Sequence, residues 1–78
     1  MVYISKYDIF WFNENLLNHY VNFISDCNLI PGFNVTGKVI KIYNRNNIEI
    51  MFDIITNDNH KKLTIGSNMR NLQFNIIS

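Results

Sequence analysis

The sequence has no alanine, one proline, one cysteine and three glycines among its 78 residues. Each scarcity excludes something. A lone cysteine, Cys27, cannot form an internal disulfide, which removes the disulfide-stapled secreted folds common among chains this short. No apolar run exceeds four residues (Ile9 to Phe12), far short of the roughly 20 that a membrane-spanning helix needs. The N-terminus carries neither a long apolar stretch nor a small-residue cleavage site, so no signal peptide is read. The Asn34-Val35-Thr36 sequon is then a chance match, and the expected location is intracellular, without a membrane partner.

Chemistry is also sparse. One cysteine and two distant histidines, His19 and His60, fall short of a structural zinc set, which takes four ligands, usually in close pairs. "NDNH" (57–60) has oxygen ligands but lacks the length and the Glu of a calcium loop. There is no Gly-rich phosphate loop, and the carboxylates are isolated. Cys27 lies at the end of an apolar stripe, far from the cationic surroundings that activate thiols. The expectation is no enzyme, no metal and no cofactor.

What is present is 47% hydrophobic and 17% charged, the composition of one globular domain, residues 1–78, with a thin core. Fourteen Asn and 13 Ile beside few GC-codon residues report an AT-rich genome, such as that of a phage, virus or low-GC bacterium. Charge is unevenly spread. Residues 1–32 hold one cation against three carboxylates, net −2, and residues 33–78 hold six against three, net +3. The two halves are expected to attract one another.

From Glu14 to Cys27 the apolar residues Leu16, Leu17, Tyr20, Val21, Phe23, Ile24 and Cys27 recur at spacings of three and four, which predicts an amphipathic helix. Asn13 suits its N-cap and Asn28 to Pro31 its stop. Phe12 and Leu17 then form a hydrophobic staple. Ile9 extends the stripe backwards, which allows an extra turn over 8–12 capped by Asp8.

After Gly32 the period becomes two. "IEIMFDIIT" and "RNLQFNII" read as strands with one buried face, and "KKLTI" as a shorter one. "VTGKVIKIY" is less regular, because Val39 and Ile40 are adjacent, and Gly37 is expected to mark a bulge or sharp bend. "VYIS" near the N-terminus adds an edge strand. Short Asn-rich connections (44–47, 57–60, 66–68) demand antiparallel pairing. The predicted fold is α+β: one N-terminal amphipathic helix packed on a twisted four- to five-stranded antiparallel meander, open or curled into a small barrel. That order resembles the SH3-like and Sm-like small barrels in topology. "FNVTGKVIKIYNRNNIEI" places a glycine in the first strand as Sm-like proteins do, but no Asp-and-Asn RNA-binding loop follows, and "LTIGSNMRN" lacks the second Sm signature.

Two surfaces are candidates for binding. "YDIFWF" packs Tyr7, Phe10, Trp11 and Phe12 into six positions, more aromatics than one staple uses, and Trp and Tyr are enriched among residues that carry binding energy. With Phe12 and Ile9 facing inward, Tyr7, Phe10 and Trp11 form a protein-docking set, with Trp11 at least partly exposed. The uncharged final strand offers a second route, pairing with another chain or a second copy. The predicted function is a non-enzymatic protein-binding module, an accessory or inhibitor protein of phage or virus type that acts by steric occlusion of a partner. The alternative is an RNA- or DNA-binding barrel using Lys38, Lys41, Arg45, Lys61, Lys62 and Arg70, with Tyr43 stacking a base. Against it, Lys38 and Lys41 lie three apart, as do no two residues on one face of a regular strand, and Lys61 and Lys62 are adjacent.

Overall fold

The computed structural model describes residues 1–26 and 32–78. Along the chain run β1 (Val2–Tyr3), a 3-10 turn (Ile4–Lys6), α1 (Ile9–Asn15), β2 (Tyr20–Ser25), β3 (Phe33–Arg45), β4 (Glu49–Thr56), β5 (Lys62–Gly66) and β6 (Gln73–Ile76). The six strands form one antiparallel sheet in the order β1-β6-β2-β3-β4-β5.

The expected helix over 14–27 is not there. The helix is the short one over Ile9–Asn15, and residues 20–25 form a central strand between β3 and β6. "YVNFIS" satisfies both periods, and its β-branched and aromatic residues suit a pleated surface. Ladders on both sides decide the outcome: Val21, Phe23 and Ser25 are buried at period two. Asn18 ends the helical path by taking a left-handed φ of 67°, and His19 N–H then bonds the Leu16 carbonyl. Cys27 and the proposed stop at Asn28–Pro31 lie outside the described residues.

The N-cap is Asp8, not Asn13, and its carboxylate accepts from the Trp11 N–H at 3.0 Å. A staple still forms, shifted along the chain. Tyr7 occupies N′ and Phe12 occupies N4, with their rings edge-on at 6.3 Å. Asn13 instead sits within the helix and donates from its side chain to the Ile9 carbonyl.

β3 to β5 follow the expected meander, but β6 does not. The chain leaves β5 at one edge of the sheet and, within residues 67–72, reaches the far side of β2. Gly66 lies in the row of Met51 and Tyr43, and Gln73 in the row of Ile24 and Asn34, nine residues away along β3. At about 3.3 Å per residue that is about 30 Å, more than the roughly 20 Å that six residues span, so the sheet must curl strongly for this crossing to close. It is not a closed barrel, because β5 and β1 both remain edges among the described residues. Phe12 and Leu16 of α1 and its following turn fill the concave side with Val21, Phe23, Val39, Phe52, Ile54, Ile65, Leu72 and Phe74. Phe12 meets Phe52 edge-on at 5.1 Å at the centre.

Two features of β3 shape its pairing. The extra residue of a bulge is Ile40, between the pairs Val39–Ile54 and Lys41–Asp53, three residues beyond Gly37. It shifts the alternation so that Val39 and Ile42 both face inward. Gly37 serves a different purpose. It pairs with Val21 on one side and Thr56 on the other, and a Cβ there would lie 2.5 Å from the Ile55 carbonyl oxygen. The abundant asparagines supply much of the turn chemistry: Asn18, Asn46, Asn47 and Asn71 all have positive φ. Asn46 and Asn47, both left-handed, are the central residues of the β3–β4 turn, closed by Ile48 N–H to the Arg45 carbonyl.

Candidate functional site

The aromatic cluster is split three ways. Phe12 is wholly buried, Phe10 is 78% exposed, and Tyr7 and Trp11 are half-buried. The Tyr7 and Trp11 rings stack at 3.9 Å and 20°, and both lie within 6 Å of Phe74 on β6. Adjacent helical residues diverge by about 100°, which is why Phe12 enters the core while Trp11 lies along its rim. Val2, Tyr7, Trp11, Phe74, Asn75 and Ile76 line a shallow recess of about 290 Å³ there.

That recess adjoins an unfinished strand edge. β1 covers β6 only through Val2–Phe74 and Tyr3–Gln73, with Ile4 N–H bonding the Leu72 carbonyl. On the other side, Ile77 N–H bonds the Tyr20 carbonyl. Bonding direction alternates along an antiparallel strand. Residues 73, 75 and 77 therefore bond towards β2, and 72, 74 and 76 towards β1. The Ile76 N–H and carbonyl thus point past the end of β1, beside exposed Met1, Ile76 and Ile77. The importance of Val2 and Ile76 was hidden in the sequence, since strand order is set by long-range pairing.

The basic residues divide differently from the expectation. Cross-strand partners share a face, so register places Lys38 and Lys62 on either side of Ile55, and Lys41 and Thr64 on either side of Asp53. The Ile40 bulge therefore brings Lys38 and Lys41 to the same, convex face, which a regular strand would not. Arg45 joins them opposite Glu49. Lys61 lies in the β4–β5 turn, its N–H bonded to Thr56 Oγ1, outside this ladder. Arg70 sits at the opposite end of β2, its carbonyl accepting from Ser25 Oγ and Asp26 N–H.

Both carboxylates on the convex face are engaged. Glu49 is 2.9 Å from Arg45 and accepts from Asn68 N–H, and Asp53 is 3.6 Å from Lys62 and accepts from Thr64 Oγ1 at 2.7 Å. Lys41 lies over the Tyr43 ring at 5.0 Å. These two ion pairs both fall within residues 33–78, so among the described residues none links the oppositely charged halves of the sequence.

His19 Nδ1 lies 3.0 Å from the Ser78 carbonyl and His60 is exposed in a turn. Among the described residues no three His, Cys, Asp or Glu converge, and no helix is long and apolar enough to cross a membrane. No protein-family model, curated protein or solved structure matches this chain.

Proposed function

We propose that this protein is a non-enzymatic protein-binding module, and that it binds an extended segment of its partner along the free end of β6. The observation that carries this reading is the apolar recess between Trp11 and Ile76, set beside a stretch of strand edge that has no partner among the described residues. An incoming strand would bond the Ile76 N–H and carbonyl, while one apolar side chain enters the recess against Trp11 and Tyr7; main-chain bonds supply affinity and the recess supplies specificity. Phe10, Met1 and Ile77, all exposed, extend the apolar margin. An accessory or inhibitor protein of phage or virus type would use such an edge to occlude its partner sterically.

The test is affinity capture from the native host, with nuclease treatment, using wild type, Trp11→Ala and Ile76→Pro. Proline at 76 removes a donor on the free edge and leaves the β2 ladder intact. A protein retained after nuclease by wild type and lost with both variants supports the reading. Retention indifferent to both variants, or self-association as the sole binding event, overturns it.

A further inference from the structure

We infer that the convex face of the sheet is a second binding surface, and that its ligand is single-stranded nucleic acid. The inference is independent of the β6 edge and concerns the opposite side of the sheet from α1.

Three of the four tyrosines stand on this face. Tyr3 and Tyr20 are 46% and 43% exposed, and Tyr43 is half-buried under Lys41. Register fixes their relation: Tyr20 pairs with Lys38, while Tyr43 follows Lys41 two residues further along β3. The Tyr20 and Tyr43 rows are therefore roughly 13 Å apart along the strands, at about 6.6 Å per pair of residues. Lys38 stands beside Tyr20 in its row, and Lys41 between the two rows.

The charge on this face suits an anion. Lys38, Lys41, Arg45 and Lys62 stand against Glu49 and Asp53, net +2, while the remaining side chains hold three cations against four carboxylates, net −1. Arg45 and Lys62 neutralise the two acids. Lys38 and Lys41 are in no ion pair among the described residues, so neither gives up a carboxylate to contact a phosphate, although Lys41 leaves the Tyr43 ring in doing so. A recess of about 210 Å³ lined by Tyr20, Lys38, Ile55, Thr56, Asn57 and His60 closes one end of the surface. Beside it, the Asn22 side chain donates to Asn34 Oδ1 and Thr36 Oγ1, presenting uncharged polar groups between the strands.

A polyanion with planar, unstacked groups matches all of this. Phosphates meet the lysines, and bases stack on exposed tyrosine rings, an interaction open to single strands and closed to a duplex whose bases are already stacked. A protein partner finds less here, because the buried phenylalanines of the sheet point to the other side, leaving Ile24, Met51 and Ile55 as aliphatic side chains among the tyrosines and lysines.

The test is fluorescence anisotropy with a labelled uridine dodecamer and a duplex of equal length, at 50 and 200 mM salt. Wild type is expected to bind the single strand more tightly than the duplex, and more weakly at the higher salt. Tyr20→Ala and Tyr43→Ala should each weaken binding about 5- to 150-fold, the range for losing one stacked base. Lys38→Gln and Lys41→Gln should each reduce the slope of log K against log salt by about 0.7, the share of one phosphate contact on a single strand. Lys61→Gln, outside the ladder, and Phe10→Ala, on the helix, should change neither quantity. Unchanged far-ultraviolet circular dichroism certifies each variant as folded. Absence of single-strand binding at 50 mM salt overturns the inference. Equal affinity for the duplex, or a Lys61→Gln effect as large as that of Lys38→Gln, does the same.

Discussion

The two faces of this sheet use aromatic residues in opposite ways. On the concave side Phe12, Phe23, Phe52 and Phe74 are buried and pack ring against ring. On the convex side Tyr3 and Tyr20 are exposed and Tyr43 is half-buried, with Lys38 opposite Tyr20 and Lys41 over the Tyr43 ring. Within β2, Tyr20 and Phe23 lie on opposite faces of one strand. A phenylalanine contributes by leaving water, and its removal opens a cavity. An exposed tyrosine keeps a polar handle in water and its ring remains available, so its energetic value is realised only when something covers it. The concave face accounts for the fold, and the convex face leaves area and charge uncommitted.

The strongest way to break this contrast is Phe12→Ala. Phe12 touches Tyr7, Trp11, Phe52 and Phe74, and its loss should cost about 3–5 kcal/mol. Urea denaturation followed by Trp11 fluorescence measures it. A cost below 1 kcal/mol would mean that the concave side is not the core.

Gly37→Ala probes how tightly β3 and β4 approach. The new methyl meets the Ile55 carbonyl, which belongs to the backbone and cannot swing aside. The expected destabilisation is about 1–3 kcal/mol, as for other overpacked sites. A neutral result in the same denaturation assay would show that the strands separate easily at their crossing point.

Asp8→Ala should cost about 1 kcal/mol by removing the helix N-cap. Asn13→Ala, at the position that looked like the cap in the sequence, should cost less. Equal effects on thermal midpoint would contradict the helix start at Ile9.

The smallest effect sharpens the contrast from the other side. Tyr20→Ala and Tyr43→Ala should each change stability by at most about 0.5–1 kcal/mol, the scale of surface and cross-strand terms. A loss near that of Phe12→Ala would make the convex tyrosines structural and remove the reason to look for a ligand there.

Several elements were legible in the sequence because their determinants are local. The period-two pattern of "IEIMFDIIT" located a strand whatever its neighbours are, although Met51 and Asp53 of its second face are buried too, and Asn-rich gaps report turns because Asn tolerates a left-handed backbone. Asp8 as a cap and Phe12 as a core residue followed from the helical stripe once it was extended back to Ile9. Residues 20–25 were not legible. Val21 and Ile24 fit one helical face and Val21 and Phe23 one strand face, so periodicity alone chose the wrong element. Pairing with β3 on one side and β6 on the other, far away in sequence, outweighed it.

The binding surfaces divide along the same line. By itself the sequence determined that Tyr7, Phe10 and Trp11 are near neighbours along the chain, that the second half is basic, and that internal disulfides are excluded, since composition and spacing suffice for these. Tertiary structure alone decided that Lys38 and Lys41 share a face, because the Ile40 bulge is a two-strand property that neither strand carries by itself. It alone decided that Ile76 borders an open edge, because which strand lies beside β6, and how far it reaches, depends on where β1 comes to rest. Local preferences act over a few residues, whereas strand order and register arise from the burial of the whole core at once.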